Sequence, residues 1–430
     1  MKKHTLLYFG WIFLFSTNAL AETYQSKHFV IYSDLDPRYV QFIQVNAEAF
    51  YANMEGRYFR TGWQKSLIIY YTKTEADTQK LLVEHGHKGG PGYGHYISST
   101  PAIYTHRLMN NGEISGLGTL FHEITHHFID LNYRNPPAWF NEGLACFLGE
   151  RVRIVKGKLL VGQPNPWREQ ILRDKIEKGF KPNIERLFST STRQFYNWDV
   201  GYHFARAFFY WLHENGQLEH YLENVQKKGY KLSVLEETLS LSYGRINGEL
   251  LKFIRKDCYA GAYLKDGQQD EDNTRKKELF LKALELKPDY EIAQRELALC
   301  YCRDKDYEKC KEYLQKILND PNSIEYHDAA ELMGYCYYTK KNYTQALEYY
   351  QKALEYSDYY EYKFELYYRM ANCHHYLEDY STAKQFHKMF LDGNWEPEKY
   401  EKKVAYAKEY QKWDGDNSGE KKTSSKPKEE

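Results

Sequence analysis

His28-Phe-Val-Ile-Tyr-Ser33 is a short apolar run between polar ends, and Ser66-Leu-Ile-Ile-Tyr-Tyr-Thr72 is almost continuously apolar. These patterns predict two strands, the second of them buried. Between them, Pro37 to roughly Phe59 carries the three-to-four spacing of an amphipathic helix, and a second helix is predicted from Glu75 to about His85. Strand and helix alternate here as in a small α/β lobe. The glycine-rich stretch His87-Lys-Gly-Gly-Pro-Gly-Tyr-Gly-His95 then feeds two short strands at Tyr96-Ile97 and Ala102-Ile-Tyr-Thr-His106. It lacks the Lys-Ser/Thr ending of a phosphate loop and opens no helix, which argues against nucleotide binding. Helices are predicted from near Ser115 and again from Ala138 to about Leu148. A hairpin follows, Arg151-Val-Arg-Ile-Val155 with Lys158-Leu-Leu-Val161, turned at Lys156-Gly157. From Trp167 onward the pattern is almost wholly helical, including Asp199-Val-Gly-Tyr-His-Phe-Ala-Arg-Ala-Phe-Phe-Tyr-Trp-Leu212.

Beyond the polar run from Asp266 to Asn273, read as a domain junction, the sequence repeats. Leu297-Ala298, Met333-Gly334 and Met370-Ala371 recur at spacings of 36 and 37, each twelve residues ahead of Cys310, Ala346 and Ala383. Asp306-Tyr307, Asn342-Tyr343 and Asp379-Tyr380 fill the turns, and Phe280 to Pro288 suggests an earlier half-unit. Small residues at a fixed period mark places where paired helices touch, and the arrangement resembles the tetratricopeptide repeat. The last residues, from Asp414 to Glu430, are polar and charged, as in a disordered tail.

Charge changes this picture little: Lys+Arg and Asp+Glu are equal at 59 each, so no global field favours nucleic acid or an anionic surface. The 42 tyrosines supply large amphipathic side chains for helix packing. The start does matter. Met1-Lys-Lys-His4, the apolar run Leu6 to Phe15 and small residues at Ala19 and Ala21 read as a secretory leader cut after Ala21, which predicts an exported chain, periplasmic or secreted. Seven cysteines would then suggest disulfides, but Cys300, Cys336 and Cys373 fall at equivalent repeat positions, too far apart for bridging. The cysteines are read mostly as small buried residues.

One stretch carries chemistry. Gly118-Thr-Leu-Phe-His-Glu-Ile-Thr-His-His-Phe-Ile-Asp130 sets His122, Glu123 and His126 in the order His-Glu-x-x-His, so both imidazoles reach one metal ion from successive turns. Leu117, Leu120, Ile124, Phe128 and Leu131 form the opposite, apolar stripe, and His127 is turned toward the apolar flank. The motif alone is too short to carry weight. A third ligand is supplied by Glu142, sixteen residues beyond His126 in Ala138-Trp-Phe-Asn-Glu-Gly-Leu-Ala145, where a returning helix can present it. Three protein ligands with a fourth position left open is the arrangement of catalytic zinc.

His-Glu-Ile-Thr-His followed by Trp-Phe-Asn-Glu-Gly-Leu-Ala resembles the gluzincin metallopeptidases of the peptidase-MA-like type, over residues 24 to 260. The metzincins are rejected because Ile129 and Asn132 stand where they need Gly and His or Asp. The resemblance implies an α+β metallopeptidase domain over 22–265, with a small mixed-sheet N-lobe and a helical C-lobe. A tetratricopeptide-like all-α solenoid follows over 266–412, then the tail from 413. It further implies one zinc ion held by His122, His126 and Glu142, with Glu123 as general base and Tyr202 or His203 as oxyanion donor. The segment from Gly92 to His106 would line the cleft and pair with an extended peptide or protein substrate. Where thermolysin-like enzymes carry an Asp to orient a histidine, this chain has Cys146, so the orienting partner is unassigned. Two other readings are an inactive zinc-binding scaffold and a metal-free adaptor, both acting on protein partners through the repeats.

Overall fold

The computed structural model describes residues 22–90, 92–107, 117–155 and 157–413. The expected leader (1–21) and polar tail (414–430) lie outside the described residues.

The sheet is mixed, as expected. Strands β1 (Glu22–Gln25), β2 (Phe29–Ser33), β3 (Leu67–Thr72), β4 (Gly94–Ile97) and β5 (Ala102–His106) lie in the order β1-β2-β3-β5-β4. β2, β3 and β5 are parallel, while β1 and β4 run antiparallel at the two edges. Register follows burial: Phe29 pairs with Leu67 and Ile31 with Ile69, so one buried face is continuous across the central strands. Helices α1 (Pro37–Met54) and α2 (Glu75–Glu84) are the crossovers that parallel strands require. α1 ends earlier than the pattern suggested, and β1 carried no clear signal.

Helix α3 (Leu117–Asn132) packs on this lobe through aromatic stacks, Phe50 on Phe121 at 4.4 Å and Phe59 on Phe128 at 4.8 Å between ring centroids. Leu117, Leu120, Ile124 and Phe128 are buried as predicted, but Leu131, in the last turn, is 42% exposed. Pro136-Pro137 ends the connection, and α4 (Ala138–Gly149) returns against α3. The hairpin of β6 (Arg153–Val155) and β7 (Lys158–Leu160) follows. Eight helices complete this region: α5 (Pro166–Glu177), α6 (Ile184–Ser189), α7 (Thr192–Tyr196), α8 (Gly201–Glu214), α9 (Leu218–Lys228), α10 (Leu232–Leu239), α11 (Tyr243–Phe253) and α12 (Tyr259–Gln269). α4 packs along α8, which brings the strongly apolar Phe208, Phe209 and Trp211 segment under it.

The polar run from Asp266 proves to be the end of α12 and its turn into α13 (Asn273–Leu286), and Asp266 is clamped by Arg173 of α5. α12 and α13 form the first helical hairpin. Then come α14 (Glu291–Arg303) with α15 (Tyr307–Leu318), α16 (Tyr326–Thr339) with α17 (Tyr343–Leu354), α18 (Lys363–Tyr376) with α19 (Tyr380–Gly393), and a closing α20 (Glu401–Lys412). The turns repeat in detail. Lys305, Lys341 and Glu378 each take positive φ, and Asp306, Asn342 and Asp379 then cap the second helix through a backbone N–H three residues on. Cys300, Cys336 and Cys373 are buried and lie outside the disulfide, in line with the sequence pattern. A disulfide nevertheless joins Cys302 to Cys310, with Cα atoms 5.5 Å apart. The equivalence argument covered only like positions in successive repeats and missed two unlike positions facing each other within one hairpin. Among the described residues no helix is long and apolar enough to cross a membrane.

Candidate metal centre

The C-terminal end of α4 meets the N-terminal half of α3 closely because Gly149 carries no side chain. A Cβ there would lie 2.3 Å from the backbone nitrogen of His122, so any other residue would push the helices apart. At this crossing the three predicted ligands converge. His122 Nε2 and His126 Nε2 are 3.0 Å apart, and Glu142 Oε2 lies 3.5 Å from the first and 3.6 Å from the second. Donors bound tetrahedrally at about 2.0–2.1 Å stand roughly 3.3 Å from one another, so the three separations bracket what one zinc ion needs. The donor set, two imidazoles and a carboxylate with little exposure, also suits that ion.

Neighbouring groups set each donor's direction. Asn141, beside Glu142 in sequence, accepts from His126 Nδ1 at 3.1 Å, which leaves the Nε2 lone pair facing the centre. Tyr196 donates to Glu142 Oε1 at 2.9 Å and leaves Oε2 turned toward the histidines. His122 Nδ1 is buried without a hydrogen bond, and the nearest carboxylate is Glu150 Oε1 at 3.7 Å. Glu150 is itself fixed by Arg168 and by Asn165 Nδ2 at 2.9 Å. No hydrogen bond fills the orienting role left unassigned at Cys146; the carboxylate beside Nδ1 sits one turn further along the same helix face, Glu142, Cys146 and Glu150 being spaced by four. That spacing was a usable signal. Tyr196 had none, because the short helix α7 is placed by tertiary packing.

Electrostatics matches a cation site. Burial alone would lower His126, but hydrogen bonding and the charge of Glu142 outweigh it and push the imidazole up to about 9. For Glu142 burial opposes ionisation, and the two histidines overcome it and hold the carboxyl well below the usual range. The pocket is therefore organised around one positive charge.

Glu123 is buried and borders the same cleft, which encloses about 590 Å³. Gly94 of β4 approaches it so closely that a Cβ would come within 2.9 Å of Glu123 Oε1. Tyr202 also lines this cleft. His203 does not: its ring packs edge-on against Trp167 at 5.6 Å, and burial pushes it down to about 3. Of the segment Gly92 to His106, only the part through Ser98 borders the cleft, whereas β5 lies inside the sheet. β4 is tied to α3 by Tyr96, whose hydroxyl donates to Asp130 Oδ2 at 3.1 Å and accepts from His127 Nδ1 at 2.8 Å. His127 is packed against Trp63, as its position on the helix predicted.

Residues 293–323 and 328–357 match the tetratricopeptide repeat family. No curated protein matches the chain. The repeats, a fold that suggests protein partners, pack on the N-terminal region. Arg107, just past β5, reaches Glu396 at 2.8 Å and Glu361 at 3.4 Å while stacking on Tyr39 at 4.4 Å. Arg153 of β6 pairs with Asp328 of α16 at 3.0 Å. Part of the repeats' surface is thus already occupied by the chain's own strands.

Proposed function

We propose that this chain is an exported zinc-dependent peptidase whose repeats brace the enzyme and recruit a protein substrate or partner. The observation that carries the reading is the convergence of His122, His126 and Glu142 with separations of 3.0, 3.5 and 3.6 Å beside a buried Glu123. Zinc held by these three residues supplies Lewis acidity toward a carbonyl oxygen and makes water acidic near neutral pH. Glu123 takes the proton of the attacking water and later delivers it to the departing amine nitrogen. Tyr202, on the cleft wall, donates to the developing oxyanion. Tyr196 and Asn141 hold Glu142 and His126 in register, and the free edge of β4 aligns an extended peptide by backbone hydrogen bonds. The Cys302–Cys310 disulfide suits an oxidising compartment outside the cytoplasm.

The test is chelator-sensitive cleavage of a peptide library. Glu123→Gln should keep zinc and lose about 10²–10⁴-fold in turnover, and His122→Ala should lose both. Zinc content that survives His122→Ala would sink the assignment. A second reading, an adaptor acting through its repeats, is favoured by the family match alone. Purified protein without equimolar metal, still capturing a partner, would establish it.

A further inference from the structure

The repeats contain a second cluster of reactive groups. Cys302 of α14, Cys310 of α15 and Cys336 of α16 share one buried cluster, with exposures of 6, 0 and 1%. Cys302 and Cys310 are bonded, and the Cys336 sulfur lies 2.9 Å from the first and 3.3 Å from the second. These separations are shorter than an ordinary contact of about 3.5–4.0 Å between non-bonded heavy atoms. Cys300, two residues away on the same helix, belongs to a different cluster.

We propose that the three cysteines form one redox site in which the disulfide is exchangeable, Cys336 replacing either Cys310 or Cys302 as the bonded partner. In the step, the Cys336 thiolate attacks Cys302 Sγ, the Cys302–Cys310 bond breaks as the Cys302–Cys336 bond forms, and Cys310 leaves as a thiolate that takes up the proton Cys336 gave up. Attack on Cys310 Sγ is the mirror case. One disulfide and one thiol are present before and after, so no oxidant or reductant is consumed.

The pairings differ in what they hold. A bond between Cys302 and Cys310 staples α14 to α15, helices already paired through a tight turn. A bond from either of them to Cys336 staples neighbouring hairpins and restrains the one motion a solenoid keeps, the angle between successive units. Cys336 lies nearly equidistant from the two bonded sulfurs, beside their bond and off its axis, so exchange needs a rotation of its side chain. Burial also pushes its thiol up to about 12. Both features make the site slow, so either pairing persists once formed.

The experiment is disulfide mapping of the full chain after trapping free thiols in acid with N-ethylmaleimide. Oxidised in air, Cys310→Ser should show a Cys302–Cys336 bond and Cys302→Ser a Cys310–Cys336 bond, with helical circular dichroism as in the wild type. Wild type held in a mixed glutathione buffer should yield peptides crosslinked through Cys336 as well as the Cys302–Cys310 pair. Cys300→Ser should leave this distribution unchanged. The proposal is overturned if the Cys310→Ser and Cys302→Ser variants fold with their remaining pair as free thiols, or if Cys300→Ser alters the pairing. It is also overturned if the wild type shows only Cys302–Cys310; that arm needs no substitution and decides the matter should a variant not fold.

Discussion

The region before α13 and the repeats after it use their sequence in opposite ways. In the repeats, identity lies in a period: small residues return at 36 and 37, each turn is capped alike, and each hairpin buries its face on the next. Successive units restate the signal, which is why two of them, 293–323 and 328–357, match a known family. In the N-terminal region, identity lies in a few side chains on α3 and α4, and none is restated. A site of this kind is chemically specific yet statistically faint. The two regions also differ in how they tolerate change: a repeat can lose one contact and keep its neighbours, whereas the proposed metal centre depends on a single close approach of two helices at Gly149.

The contrast can be broken first at the contact between the regions. Arg107→Ala removes the guanidinium from between Glu361 and Glu396, each only 9% exposed, while Lys399 stays at 3.2 Å from Glu396, at a cost of about 2–3 kcal/mol. Melting should split into two transitions, read by calorimetry; a single transition at the wild-type midpoint would mean that Arg107 does not couple the regions.

Gly149→Ala should destabilise by about 1–3 kcal/mol and release zinc, measured by metal analysis. A variant that melts lower but stays metal-loaded would show that the helix crossing does not set the ligands.

His387 tests the repeats alone. It is fully buried among Tyr368, Tyr406 and Tyr410 with neither ring nitrogen hydrogen-bonded, and burial, with His375 adding to it, pushes it down to about 3. Between that value and the ordinary 6.5 the unfolded chain binds a proton that the folded chain refuses, so stability falls as pH drops through this window. His387→Phe should remove on the order of 2 kcal/mol of acid sensitivity between pH 6 and 4, measured by urea unfolding. An unchanged slope would place the acid sensitivity elsewhere.

The smallest effect is expected from Tyr196→Phe, which loses one hydrogen bond to Glu142, about 1 kcal/mol, or roughly fivefold in zinc affinity by competition with a chelator. No change would mean that Glu142 is held without it.

Much of this was legible beforehand because it is local. Short β-branched and aromatic runs gave β2 and β3, the four-residue spacing put His122 and His126 on one face, and the repeat period placed the turns inside the hairpins α14–α15, α16–α17 and α18–α19. Where the reading failed, a non-local partner decided. Leu131 is on the exposed side of a last turn whose opposite side is packed by Ile129 and tied by Asn132 to the Thr61 backbone, and Asp266 is helical because Arg173 clamps it; Tyr202 and His203, left as alternatives by the sequence, separate into cleft and core.

The sequence by itself therefore determined which residue types stand ready for chemistry and which segments coil or extend, since both depend on neighbours within a few positions. Only the tertiary structure decided that Glu142 reaches the two imidazoles, that the Glu150 carboxylate comes within 3.7 Å of His122 Nδ1, and that Cys336 lies against a disulfide. Those facts depend on how closely two helices approach, and that distance is set by side chains far apart in the chain.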